Sequence, residues 1–159
     1  MSKRARDLSS HLTVFNNRLL TFLKGLDEAR QARLLSWEGY SVLVVAGHIS
    51  GPRHYGLRDM ARKFIDGDSY SDITKDMVVH MANQDFELHK KWTLTEVIGN
   101  LEEQGQLTSS YISSLTDKNL KVVGHLESYG GDITVDQLID WIIIGTSVDH
   151  LENMKRAAL

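Results

Sequence analysis

The chain contains no cysteine. That excludes a disulfide framework, a thiolate zinc site and a cysteine nucleophile. It holds a single proline beside twelve glycines, a composition that argues against a disordered or fibrous chain. Long apolar runs are missing too. The longest, Val42 to Ala46 and Trp141 to Ile144, fall far short of the roughly 20 residues that span a bilayer. No membrane partner is therefore expected. No signal-peptide pattern precedes the first helical stretch, so a soluble cytoplasmic protein is the default. Basic residues are not in excess. The net charge is −3, which gives nucleic-acid binding no electrostatic support. The basic start from Met1 to Arg6 is soon followed by Asp7 and reads as a solvated tail.

What remains is an ordinary globular composition, 42% hydrophobic and 25% charged, and 159 residues suit one domain over 1–159. Apolar residues recur at helical steps. Leu8, Leu12, Phe15, Leu19, Phe22, Leu23 and Leu26 predict a first amphipathic helix, with Ser9, Asn16, Arg18 and Lys24 largely opposite. After a break over 27–36, a second helix is predicted from near Trp37 to Phe64. Its stripe is Trp37, Tyr40, Val44, His48, Gly51, Tyr55, Leu57, Met60 and Phe64, and Pro52 should kink it one turn past His48. Met77, Met81, Gln84 and Leu88 recur at helical spacing and predict a shorter helix within 74–91. Thr93 and Glu96 form a capping box that opens a helix reaching Leu115. The longest connection covers 117–133. Thr134 and Gln137 then cap a last helix, whose stripe is Val135, Leu138, Ile139, Ile142, Thr146, His150 and Asn153. No convincing strand pattern is present. The expected architecture is all-α: an irregular four-helix bundle with an extra short helix and a long loop before the last helix.

Two histidines, His48 and His150, lie on the apolar stripes of helices about a hundred residues apart. A bundle turns such stripes inward, and neutral imidazole is a good ligand for zinc, nickel, iron or manganese. A buried histidine needs a partner, whether metal, carboxylate or backbone. The pair is thus either the start of a metal site or two satisfied core histidines bonded to neighbours such as Thr146 and Tyr55. Of the rest, His54 is expected to point elsewhere on its helix, His80 and His89 to approach the pocket at most, and His11 and His125 to be surface residues. The large rings, Trp37, Trp92 and Trp141 among them, are expected mostly in the core, with Tyr55 placed to line a pocket mouth. Glu102 and Glu103 read as a solvated face, and Gly47, Gly51 and Gly56 as close helix packing. No Ser-His-Asp order, P-loop or dinucleotide fingerprint is present.

Three segments, in this order and spacing, resemble the DinB-like superfamily of metal-dependent four-helix bundles, which includes the YfiT-like proteins. They are Gly47-His48-Ile49, Thr134-Val135-Asp136-Gln137-Leu138 and Asp149-His150-Leu151-Glu152-Asn153-Met154, and the likeness extends over roughly residues 8 to 156. The resemblance implies one divalent metal held by three histidines, one from helix two and an i, i+4 pair from the last helix. His48 matches the first and His150 the third. Thr146 stands where the second would be, and a threonine hydroxyl is a poor ligand, so the implied site is depleted. Asp149, about 100° around the helix from His150, is the candidate replacement ligand or base. The resemblance further implies a hydrolase or a low-molecular-weight-thiol transferase acting on a small molecule, and a homodimer. The alternative is a non-catalytic small-molecule-binding or stress-response bundle that has lost its metal.

Overall fold

The computed structural model describes residues 2–36, 39–68 and 73–159, with the backbone but not the side chain of Arg53. Trp37, the predicted start of the second helix, lies outside these residues. The chain is mostly helical, with one small two-stranded sheet.

Helix α1 (Lys3–Lys24) buries Ala5, Leu8, Leu12, Phe15, Leu19 and Leu23, the row that the sequence spacing marks. The basic start is not a free tail. Ser2 caps the helix through its hydroxyl, and Arg4 forks onto Asp136 Oδ1 and Oδ2 and onto Asp140 Oδ2, each at 2.8 Å. These bonds tie the first helix to the start of the last. The short α2 (Glu28–Gln31) follows.

The predicted second helix is three pieces: α3 (Val42–Ser50), α4 (Pro52–Tyr55) and α5 (Leu57–Ile65). Pro52 does more than kink it. Gly51 is extended at φ −79° and ψ 166°, and Pro52 opens a new helix at its first position. The break re-aims everything after Ser50. Tyr55 is fully buried, and its hydroxyl donates to Asn16 Oδ1 at 2.7 Å, so it anchors the core rather than a pocket mouth.

Helix α6 (Lys75–His89) sits where a short helix was expected. The apolar stripe Met77, Met81 and Leu88 is exposed, and the buried residues are Asp85, Phe86 and His89. Helix α7 (Leu94–Ser113) opens on the predicted Thr93–Glu96 capping box and packs along α1. That seam is polar: Ser9 Oγ and Ser109 Oγ lie 2.8 Å apart.

Helix α8 (Asp117–Leu120) and a hairpin of β1 (Val123–Leu126) and β2 (Gly131–Thr134) occupy the predicted long loop. The hairpin is antiparallel, with Val123 opposite Thr134 and Leu126 opposite Gly131. Its turn needs glycine, since Gly130 and Gly131 hold φ of 89° and 113°. Its first strand shows no apolar alternation in the sequence, because the exposed Val123 is apolar and the buried Gly124 carries no side chain.

The last helix has three parts. The predicted Thr134–Gln137 capping box opens α9 (Val135–Gln137), a π-helical segment runs over Leu138–Thr146, and α10 (Ser147–Ala157) ends the chain. Nine residues of i→i+5 bonding are unusual, because π-turns normally occur singly and often at functional sites. The wider turn lets Ile142, Ile143 and Ile144 all face the core. It also shifts the inward row beyond it to Ser147, Leu151, Met154 and Ala158. Thr146 and His150 therefore stand beside the core row, half-buried. Trp141, expected in the core, is 54% exposed.

Candidate functional site

A cavity of about 490 Å³ opens between α5, α6, the hairpin and the π-helical segment. Its walls are mostly apolar, from residues such as Leu57, Met60, Val78, Met81, Leu126 and Ile142, and its polar groups are His48, His54, Asp59, Ser128, Tyr129 and Thr146. A mainly apolar recess with a few convergent polar side chains is the common form of a small-molecule site. A smaller cleft of about 240 Å³ lies between α1 and α7, and much of its lining consists of the amides and hydroxyls of Thr13, Asn16, Asn17 and Ser109.

The two histidines singled out in the sequence do meet. The ring centres of His48 and His150 are 5.8 Å apart, with the planes at 79°. Neither ring is fully exposed. Burial pulls His150 down to about 4, helped by the nearby His48 and opposed by the charge of Asp149, so it is neutral at physiological pH. Asp149 itself lies on the exposed side of α10 and does not line the cavity. Its charge acts on His150.

Four of the seven histidines lie in or beside this region. His54 is the one the sequence spacing misplaces. The break at Gly51 and Pro52 swings it onto the cavity wall, with its ring centre 6.4 Å from that of His48. Its Nε2 lies 2.7 Å from Ser147 Oγ and 3.2 Å from the Ile143 carbonyl, while Ser147 Oγ donates to that carbonyl at 2.7 Å. One proton assignment satisfies all three contacts: Nε2 carries the hydrogen and donates, and Nδ1 keeps the lone pair. Burial, reinforced by the charge of His48, pulls His54 down to about 3.

The partner of His48 is Asp85, a residue in none of the sequence patterns. His48 Nδ1 and Asp85 Oδ2 are 2.6 Å apart, and Asp85 is 4% exposed. His89, one turn further on α6, donates from Nδ1 to the Asp85 carbonyl at 2.7 Å. Its ring fills a slot floored by two glycines. A Cβ on Gly47 would lie 2.7 Å from His89 Cδ2, and one on Gly51 2.8 Å from His89 Nε2. Those glycines admit a side chain rather than a helix backbone. His80 and His11 are exposed, as the surface reading has it for His11. His125 is half-exposed on β1 and pairs across the hairpin with Asp132 at 2.8 Å.

An imidazole bound at about 2 Å places its ring centre about 3 Å from the metal, so two rings sharing an ion have centres within about 6 Å. His48 and His150, at 5.8 Å, lie inside that distance, and His48 and His54, at 6.4 Å, lie at its limit. Thr146 directs its hydroxyl to the Trp141 carbonyl at 3.4 Å. Among the described residues, no three His, Cys, Asp or Glu side chains are placed to hold one ion. The two imidazoles that the sequence marks are close enough to share an ion, and no third protein ligand stands beside them among the described residues.

Fold and site together define a mostly helical protein with a mainly apolar cavity that His48 and His54 help to line. In comparisons with protein-family models, curated proteins and solved structures, the chain matches none.

Proposed function

We propose that this chain is a DinB-like four-helix-bundle protein that binds a small, mainly apolar molecule in the cavity beside His48. In this reading it is a metal-dependent hydrolase or low-molecular-weight-thiol transferase with a depleted metal site. The observation that carries it is the edge-to-face meeting of His48 and His150, 5.8 Å between centres, contributed by helices a hundred residues apart. His48 and His150 would hold the cation, and Asp149 would supply a flanking negative charge. A divalent cation bound there would act as a Lewis acid or lower the pKa of a bound water or thiol. The apolar walls from α5, α6 and the π-helical segment would bind the body of the substrate and exclude water. The same reading carries a homodimer and a cytoplasmic location. No helix among the described residues is long and apolar enough to cross a membrane.

A second reading has its own support. Thr146, at the position where the resemblance implies a ligand, turns its hydroxyl to the helix backbone, and His54 is bonded within the fold. That favours a binding protein that has lost its metal. Chelation separates the two. A metal held by the folded state raises the melting temperature, so a chelator should lower it in the first reading and leave it unchanged in the second.

A further inference from the structure

Helix α6 is arranged against its own hydrophobicity. It turns a carboxylate and an imidazole inward and leaves Met77, Met81 and Leu88 at 47%, 40% and 55% exposure. Burying Asp85 and His89 instead of apolar side chains is unfavourable unless each is bonded. Sequence patterns broken in this way concentrate at functional sites. The bonds are present, and they converge on His48. The glycine slot of Gly47 and Gly51 receives His89 and so sets where α6 docks on α3. One turn earlier on α6, that docking puts the Asp85 carboxylate 2.6 Å from His48 Nδ1. Phe86, between them in sequence, packs on the His48 ring with centres 4.3 Å apart and holds its plane.

We propose that Asp85 is the positioning residue of the site: its carboxylate holds the His48 proton on Nδ1, leaving the Nε2 lone pair as the ring's working group beside the cavity. A carboxylate accepts and does not donate, so the short contact requires the hydrogen on Nδ1. Histidines that bind metals are oriented in this way by a carboxylate on their second nitrogen. Because Asp85 rides on α6, and α6 also supplies Val78 and Met81 to the cavity wall, docking of this helix both closes the cavity and sets the tautomer. The tautomer assignment stands on geometry alone. The use of the lone pair for a metal rests on the function proposed above.

The test uses the full chain, treated with chelator and labelled with ¹⁵N-histidine, at about pH 8, where an ordinary histidine is neutral. Long-range ¹H–¹⁵N correlation reads which nitrogen of His48 is protonated, with the assignment made by His48→Gln. Wild type should show the Nδ1–H form. Asp85→Asn keeps an acceptor oxygen and should retain it. Asp85→Ala should shift His48 toward the Nε2–H form. Cobalt(II) titration should then show affinity reduced about 10- to 100-fold in Asp85→Ala, with Asp85→Asn in between. An Nε2–H His48 in wild type, an unchanged tautomer in folded Asp85→Ala, or a wild type that binds cobalt no more tightly than a cobalt-binding Asp85→Ala would each overturn the proposal. If Asp85→Ala does not fold, the wild-type spectrum decides. A wild type with the Nδ1–H tautomer but no cobalt binding would reject the metal reading and leave the positioning role of Asp85 standing.

Discussion

Replacing His54 by glutamine should flatten the acid side of the stability curve, and the amount follows from burial. His54 falls from an ordinary 6.5 to about 3 in the folded chain, chiefly because its charged form is desolvated. Its folded-state pKa lies below its unfolded value, so the unfolded chain takes up the proton first. Stability is therefore full above about pH 7.5 and is lost as pH falls through 6.5 toward 3. At about pH 5 the unfolded histidine is almost fully protonated and the folded one is not, a difference of about 2 kcal/mol. His150, lowered to about 4, should add a similar amount, so the two together remove about 4 kcal/mol between about pH 8 and pH 5. The assay is urea unfolding of chelator-treated protein at several pH values, comparing wild type with His54→Gln. The carboxylates titrate alike in both and cancel. The variant should be less stable at neutral pH, because the contacts to Ser147 and Ile143 change, yet lose about 2 kcal/mol less on acidification to about pH 5. Parallel stability profiles for the two proteins would refute the claim that His54 is buried as the neutral ring.

Three further substitutions follow from the packing. Thr146→His should restore the missing imidazole and tighten cobalt or zinc binding by about 100-fold, or about 2.7 kcal/mol, as read by calorimetric titration; no gain would mean that position 146 does not face the His48–His150 pair. Gly47→Ala should push His89 out of its slot. The overpacking cost of about 1–3 kcal/mol should exceed the gain in helix propensity of about 1 kcal/mol, lowering the urea midpoint. Arg4→Ala should cost only about 0.5–1 kcal/mol in the same assay, since its three bonds to Asp136 and Asp140 are partly solvent-exposed.

The elements legible in the sequence were those whose burial is one-sided and regular. The Leu8 to Leu23 row, and the Thr93 and Thr134 capping boxes, carry local signals that tertiary packing only reinforces. The meeting of His48 and His150 was legible for the same reason. Elsewhere the packing overrode the local signal. On α6 the spacing of Met77, Met81, Gln84 and Leu88 marked a helix but not its inward face, and the glycine slot on α3 selects the face that carries Asp85 and His89. Asp85 could not be found by spacing, because its significance lies wholly in a contact with His48, 37 residues away. The position of His54 depended on reading Gly51-Pro52 as a break rather than a kink. The π-helical segment has no signature beyond the run Ile142-Ile143-Ile144, which an α-helical stripe cannot bury completely. The hairpin at 123–134 was hidden because its first strand shows no apolar alternation.

In the function proposed above, His48 and His150 together hold a divalent cation. The most direct measurement is the metal content, by elemental analysis, of wild type, His48→Ala and His150→Ala, each purified without added metal. The account predicts stoichiometric zinc, nickel, iron or manganese in wild type and its loss from both variants. Equal content in all three proteins, or none in wild type, would contradict it.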